Sequence, residues 1–171
     1  MNMVGSILGS ISGYDYLIFD CAPSPGLLNQ SIMRFCQECM IPIRATHLSR
    51  SGLSSMLKLV DTVNTLHNHS LEVRYIVPTH FDVRIKSQKQ TLKQFEADYP
   101  ELLCKPIRTN GRLAEAPASG QSIFSFDEAS RGAKDYMKLV ETVISHEDQE
   151  GTAEPISSRI QRLMADVKAE D

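Results

Sequence analysis

At 171 residues, 42% hydrophobic and 23% charged, the chain has the composition of one soluble globular domain; this excludes an intrinsically disordered protein and leaves little room for two domains. Its formal charge of −3 is too mild to imply a nucleic-acid or membrane partner, so any such surface must come from local clustering. No apolar run approaches the roughly 20 residues that span a bilayer, and the opening MNMVGSILGSISG lacks the positive flank of a signal peptide, so the expected location is cytoplasmic.

Apolar β-type runs then alternate with helical patterns. YDYLIFD, residues 14–20, reads as a buried strand running into Asp20 and a turn that holds Pro23, Pro25 and Gly26, and Leu27 to Gln37 reads as a helix. ECMIPIRA gives a second strand, Gly52 to Leu66 a helix with Leu53, Leu57 and Val60 on one face, and LEVRYIVPTH a third strand. Ile85 to Ala97 reads as a helix, ELLCKPIR as a fourth short strand, and SRGAKDYMKLVETVIS as a helix capped by Ser130. Residues 1–145 make the body. Residues 146–155 read as an acidic linker, and 156–171 as a short amphipathic helix that either docks on the body or binds a partner.

Alternating strands and helices predict right-handed crossovers and an α/β fold, three layers with a mostly parallel sheet. Ligands in such sheets gather at the carboxyl ends of the strands. Asp20 falls at such an end, and so do Pro78 with Thr79, and Ile107 with Arg108 and Thr109. A carboxylate there either orients Mg²⁺ through water in a nucleotide hydrolase or caps the next helix.

The four cysteines are Cys21, Cys36, Cys39 and Cys104. Cys36 and Cys39 form a C-x-x-C, but a zinc site needs a second such pair or a suitably spaced His pair, and His67-x-His69 lacks that spacing. A metal or redox role is weighed against half-buried thiols in a reducing compartment.

From Arg84 to Arg112 the local charge is +4, which leaves −7 for the rest. Lys86, Lys89 and Lys93 share one face of the third helix. On composition alone this is either a solvated face or a phosphate-binding surface.

YDYLIFDCAPSPGLLNQS resembles the YD-hydrophobic-D-C-P-P-S-x-G-L stretch of the ParA/MinD family of deviant P-loop ATPases. CMIPIRATHLSRSGLSSML resembles the family's next strand and helix, and IVPTHFDVR its P-T-x-x-D-x-R-like loop. IRTNGRLAEAPASGQSIFSFDEASRGAKDYMKL is similar to its I-P-R-N-V-R-L-S-E-A-P segment with the Y-D-x-x-S-x-G-A-x-x-Y run beyond it. Four blocks in register between Tyr14 and Ile144, the RLAEAP block above all, place the likeness with the plasmid and chromosome partitioning ATPases.

The resemblance implies roles. Asp20 is implied as the Mg²⁺ ligand through water. The loop that includes Pro23 and Gly26 is implied as the γ-phosphate switch. Pro78, Thr79, Ile107, Arg108 and Thr109 would line an adenine pocket, and Arg84 and Arg112, with Lys86, Lys89 and Lys93, would contact duplex DNA without sequence preference. Ala22 and Pro25 depart from the family's pattern.

The family's phosphate cradle, K-G-G-x-G-K-[ST], is not in this sequence, where no glycine precedes a lysine. The resemblance therefore implies a partial P-loop NTPase fold lacking its N-terminal P-loop strand, with ATP and Mg bound by the complete family member and not tightly by this chain. The expected function is a nucleoid-associated partitioning protein whose partners are DNA, a ParB-like protein and a separate N-terminal half or a second copy. The alternative is a catalytically inactive module that keeps a DNA or partner surface and acts as a regulator.

Overall fold

A computed structural model describes residues 14–22 and 26–149. Pro23, Pro25 and the tail helix of residues 156–171 lie outside the described residues, as does the linker beyond Gln149. The elements are α1 (Leu27–Met33), β1 (Glu38–Arg44), α2 (Ser49–His67), β2 (Glu72–Thr79), α3 (Lys86–Asp98), α4 (Gly111–Ala118), α5 (Ile123–Asp127) and α6 (Arg131–Gln149). β1 and β2 pair in a parallel two-stranded sheet joined by the α2 crossover, which makes the chain α/β and consistent with part of a P-loop NTPase fold.

Two compact units divide the described residues. The first takes the residues before position 42 with 48–76, and the second takes 42–47 with those from 77 onward.

In the first unit the expected helix of α2 packs as its periodicity requires. Leu53, Val60 and Val63 are buried, and Val60 and Val63 join Met33 and Leu71 in one apolar cluster. α2 ends at Asn68, whose φ of 48° is the left-handed conformation that stops helices. Asn64 then aligns the way into β2: its Oδ1 accepts from the Leu71 amide at 2.9 Å and its Nδ2 donates to the Leu71 carbonyl at 2.9 Å.

The strand expected at residues 14–20 does not form among the described residues. Tyr14 is 78% exposed and Ile18 87%. An apolar run becomes a strand only when a neighbour supplies ladder hydrogen bonds, and no described segment does so. The first helix also ends earlier than expected, at Met33 rather than Gln37.

In the second unit the fourth expected strand is reduced to one parallel bridge, Phe81 to Arg108. The chain is nevertheless pinned there. The Ile107 amide donates to the Pro78 carbonyl at 2.8 Å, the Phe81 amide to the Ile107 carbonyl at 3.1 Å, and the Thr109 amide to the Phe81 carbonyl at 3.0 Å.

Ser130 caps α6 as expected, its Oγ accepting from the Ala133 amide at 3.1 Å. α6 runs to Gln149, into the stretch read as a linker. The short helices α4 and α5 were not foreseen. Asn110 and Ser122 cap them, and Pro117 sits inside α4 near its end. A Cβ at Gly132 would lie 2.5 Å from Leu113 Cγ, so α6 meets α4 through a position that only glycine allows without a shift.

Candidate functional site

The second unit brings together two of the segments that the sequence singled out. Pro78 is fully buried and Thr79 half-buried at the end of β2, and the bridge bonds set Ile107, Arg108 and Thr109 beside them. The Thr79 hydroxyl donates to the Ile43 carbonyl at 3.2 Å, which ties the end of β2 to β1. Between Thr79 and Phe81 the chain turns at His80, whose φ of 51° is left-handed, a conformation uncommon for a residue with a side chain. Ile107 is buried, Arg108 half-buried and Thr109 exposed.

Arg108 is held by a residue that sequence reasoning missed. Its Nε donates to Asp135 Oδ2 at 2.8 Å, its Nη2 to Oδ1 at 2.7 Å, and its own amide to Oδ2 at 3.1 Å. Asp135 is 5% exposed. Burial pushes its carboxyl up, but the Arg108 bonds outweigh that and leave it below the ordinary carboxylate value. The guanidinium expected to line a pocket is therefore occupied by a carboxylate. The pair is 27 residues apart, beyond the reach of any local pattern.

The two arginines expected on DNA are also paired. Arg84 donates from Nε and Nη2 to Asp82 at 3.0 and 2.7 Å, and its amide donates to Asp82 Oδ1 at 2.9 Å. Those bonds hold the Asp82 carboxyl down to about 2. The Asp82 amide in turn donates to Gln88 on α3 at 2.7 Å, which fixes this loop against the start of the helix. Arg112 bonds Asp127 at 2.9 Å and Glu115 at 2.7 Å, and its guanidinium lies 4.6 Å from the centroid of the Phe126 ring.

The lysines differ. Lys86, Lys89 and Lys93 are exposed on one face of α3, while Thr91 and Phe95 bury the opposite face. The helix thus presents three ammonium groups to solvent and anchors itself through a fully buried phenyl ring.

In the first unit Asp20 is exposed, and Gly26 is the N-cap of α1, where no side chain caps the helix. The Asn29 amide group donates to the Ala22 carbonyl and so ties the residues after Asp20 to the first turn of α1. Asp20 does not cap that helix, so the alternative reading of its carboxylate finds no support.

Burial and then the Asp20 charge push the Cys21 thiol up; burial and then Cys21 push Cys36 up; burial, Cys21 and Cys36 push Cys39 up. Burial alone raises Cys104 to about 11. Among the described residues no three His, Cys, Asp or Glu side chains could hold a metal ion, and no helix is long and apolar enough to cross a membrane.

A family profile described as an AAA domain matches residues 3–73. The chain is 31% identical over 132 residues to the cell division protein PomZ of Myxococcus xanthus, an alignment that covers 77% of this chain and 41% of that protein. It is 30% identical over 137 residues to the chromosome-partitioning ATPase Soj of Treponema pallidum, covering 80% and 54%. It is 32% identical over 134 residues to the sporulation initiation inhibitor protein Soj of Bacillus subtilis, covering 78% and 53%. The chain spans about half the length of the curated relatives it matches. This shared sequence, with a parallel α/β fold beneath it, makes the chain similar to the ParA-like partitioning proteins over about half of their length.

Proposed function

We propose that this chain supplies the DNA-facing part of a ParA-like partitioning ATPase and binds duplex DNA without sequence preference. The observation that carries the proposal is the lysine face of α3. Three exposed ammonium groups at positions 86, 89 and 93 lie on a helix whose other side is fixed by buried Phe95. Phosphate neutralisation needs only such cations in reach, and contacts to the backbone carry no sequence information. Arg84 and Arg112 are secondary, because each must leave a carboxylate to take a phosphate.

Each unit carries residues that the resemblance implies in nucleotide binding. Asp20 is an exposed carboxylate at the place implied for a Mg²⁺ ligand through water, and Mg²⁺ is commonly held by one or two carboxylates with several waters kept. In the second unit Pro78 and Thr79, with Ile107 to Thr109, are read by the resemblance as lining the adenine; in the first unit Gly26, with Pro23 of the sequence, is read as part of the γ-phosphate switch. The phosphate cradle is not among this chain's residues, since no glycine precedes a lysine. ATP hydrolysis therefore belongs to an assembly in which a second polypeptide or further sequence supplies that cradle, and a ParB-like partner acts on the assembly at the nucleoid.

Fluorescence anisotropy with two duplexes of unrelated sequence at low salt tests the DNA reading. Similar affinities support it. Binding to neither duplex, or to one alone, would overturn it. Calorimetry with Mg-ATP tests the nucleotide reading: weak or undetectable heat agrees with a missing cradle, and sub-micromolar affinity contradicts it.

A further inference from the structure

The proposed function leaves three thiols of the first unit unused, and the fold groups them. Cys36 lies in the turn after α1, and Cys39 enters on the inward face of β1. Both pack against the cluster of Met33, Val60, Val63 and Leu71. Cys21 joins them through its neighbour: Phe19, two residues earlier, sets its ring edge-on against Phe35, next to Cys36, with centroids 5.8 Å apart. A ring nitrogen of His69 lies 2.7 Å from the Cys36 carbonyl oxygen and fixes the turn that carries Cys36. All three are free thiols, with Cys21 exposed and the other two half-buried. A reagent from solvent therefore meets Cys21 first.

We propose that Cys21, Cys36 and Cys39 form a thiol–disulfide exchange site, in which Cys21 is the entry thiol and the C-x-x-C pair supplies the thiol that closes an internal disulfide with it. The co-reactant is a small disulfide such as oxidised glutathione. The Cys21 thiolate attacks one of its sulfurs, the glutathione S–S bond breaks, and one glutathione thiolate leaves. A thiolate of Cys36 or Cys39 then attacks Cys21 Sγ and expels the second. The protein gives up two protons and two electrons, and the glutathione disulfide becomes two thiols. The bond ties the residue after Asp20 to the turn before β1 or to β1 itself; if Asp20 serves magnesium as proposed, oxidation acts beside that carboxylate.

The test needs only the intact chain. After hours with oxidised glutathione, remaining thiols are alkylated and the protein is digested with trypsin without reduction. Cleavage after Arg34 and Arg44 separates residues 1–34, which carry Cys21, from residues 35–44, which carry Cys36 and Cys39. Cys104 leaves in residues 94–108, since Lys105 precedes a proline.

The expected product is residues 1–34 linked to 35–44, two hydrogens lighter than the separate peptides apart from one alkyl group on the thiol of 35–44 that the link leaves over, from protein that runs as a monomer on a non-reducing gel. Cys21→Ser abolishes it, and Cys104→Ser leaves it intact. With both Cys36→Ser and Cys39→Ser, Cys21 remains a glutathione adduct. Recovery of wild-type Cys21 only as an alkylated thiol or a glutathione adduct overturns the proposal. So does a link found only in dimers. Neither outcome bears on DNA binding, so the two readings fail separately.

Discussion

Two stretches of this chain carry the same kind of sequence signal and meet opposite fates. Residues 14–20 and the run ELLCKPIR, residues 101–108, both read as short apolar strands. In the first, Tyr14 is 78% exposed, Leu17 46% and Ile18 87%, with no ladder partner among the described residues. In the second, Ile107 is 3% exposed, and residues 107–109 exchange three backbone hydrogen bonds with Pro78 and Phe81. An apolar run states that a face wants burial. Whether it pairs depends on a neighbour from elsewhere, and this chain spans only about half of its relatives' length.

The contrast can be broken by substitution, read as stability in chemical denaturation. Phe95, fully buried beneath the lysine face, should lose about 3–5 kcal/mol as Phe95→Ala, whereas Ile18→Ala should stay within about 0.5 kcal/mol. A large loss at Ile18 would show that residues 14–20 are packed after all. Asp135→Ala should cost about 2–3 kcal/mol, less than the roughly 3–5 of a fully buried pair because the Arg108 side chain is 33% exposed.

That pair also sets a pH dependence. The folded pKa of Asp135 lies below its unfolded value, so its stabilisation is complete above the ordinary carboxylate pKa and is lost as pH falls through the lower folded value. Stability should therefore fall below about pH 4, and Asp135→Asn should flatten the fall. A fall of the same depth in the variant assigns it to other carboxylates. A smaller loss than at Asp135 is expected of Ser130→Ala, which removes the cap of α6 at about 1 kcal/mol and should accelerate amide exchange in its first turn.

Helices were the most legible part of the sequence. α2 and α3 keep their apolar positions at helical spacing, and Ser130 announces α6 because capping is a local interaction. β1 and β2 were legible as alternating or continuous apolar runs. α4 and α5 were not, because an eight-residue and a five-residue helix carry too few turns for a periodicity. Their caps, Asn110 and Ser122, were the signal available.

For the site, segment identity was legible and side-chain partnership was not. Pro78 and Ile107 do come together, as strand ends should. Arg84, Arg108 and Arg112 looked like three available cations, and each faces a carboxylate instead. The Asp82 partner of Arg84 is two residues away and could have been suspected; Asp127 and Asp135 are reached only through the fold.

The difference between paired arginines and exposed lysines leads to the most direct measurement, the salt dependence of duplex binding. With three lysines each neutralising one phosphate, the log–log slope of affinity against salt should be about −3, from roughly −0.9 per contact. Substitution of Lys86, Lys89 and Lys93 together by glutamine should remove two to three units of that slope, on the order of one per lysine, and weaken binding equally on unrelated sequences. An unchanged slope in the triple variant, beside a wild-type protein that binds, would contradict the assignment of DNA contact to the lysine face of α3.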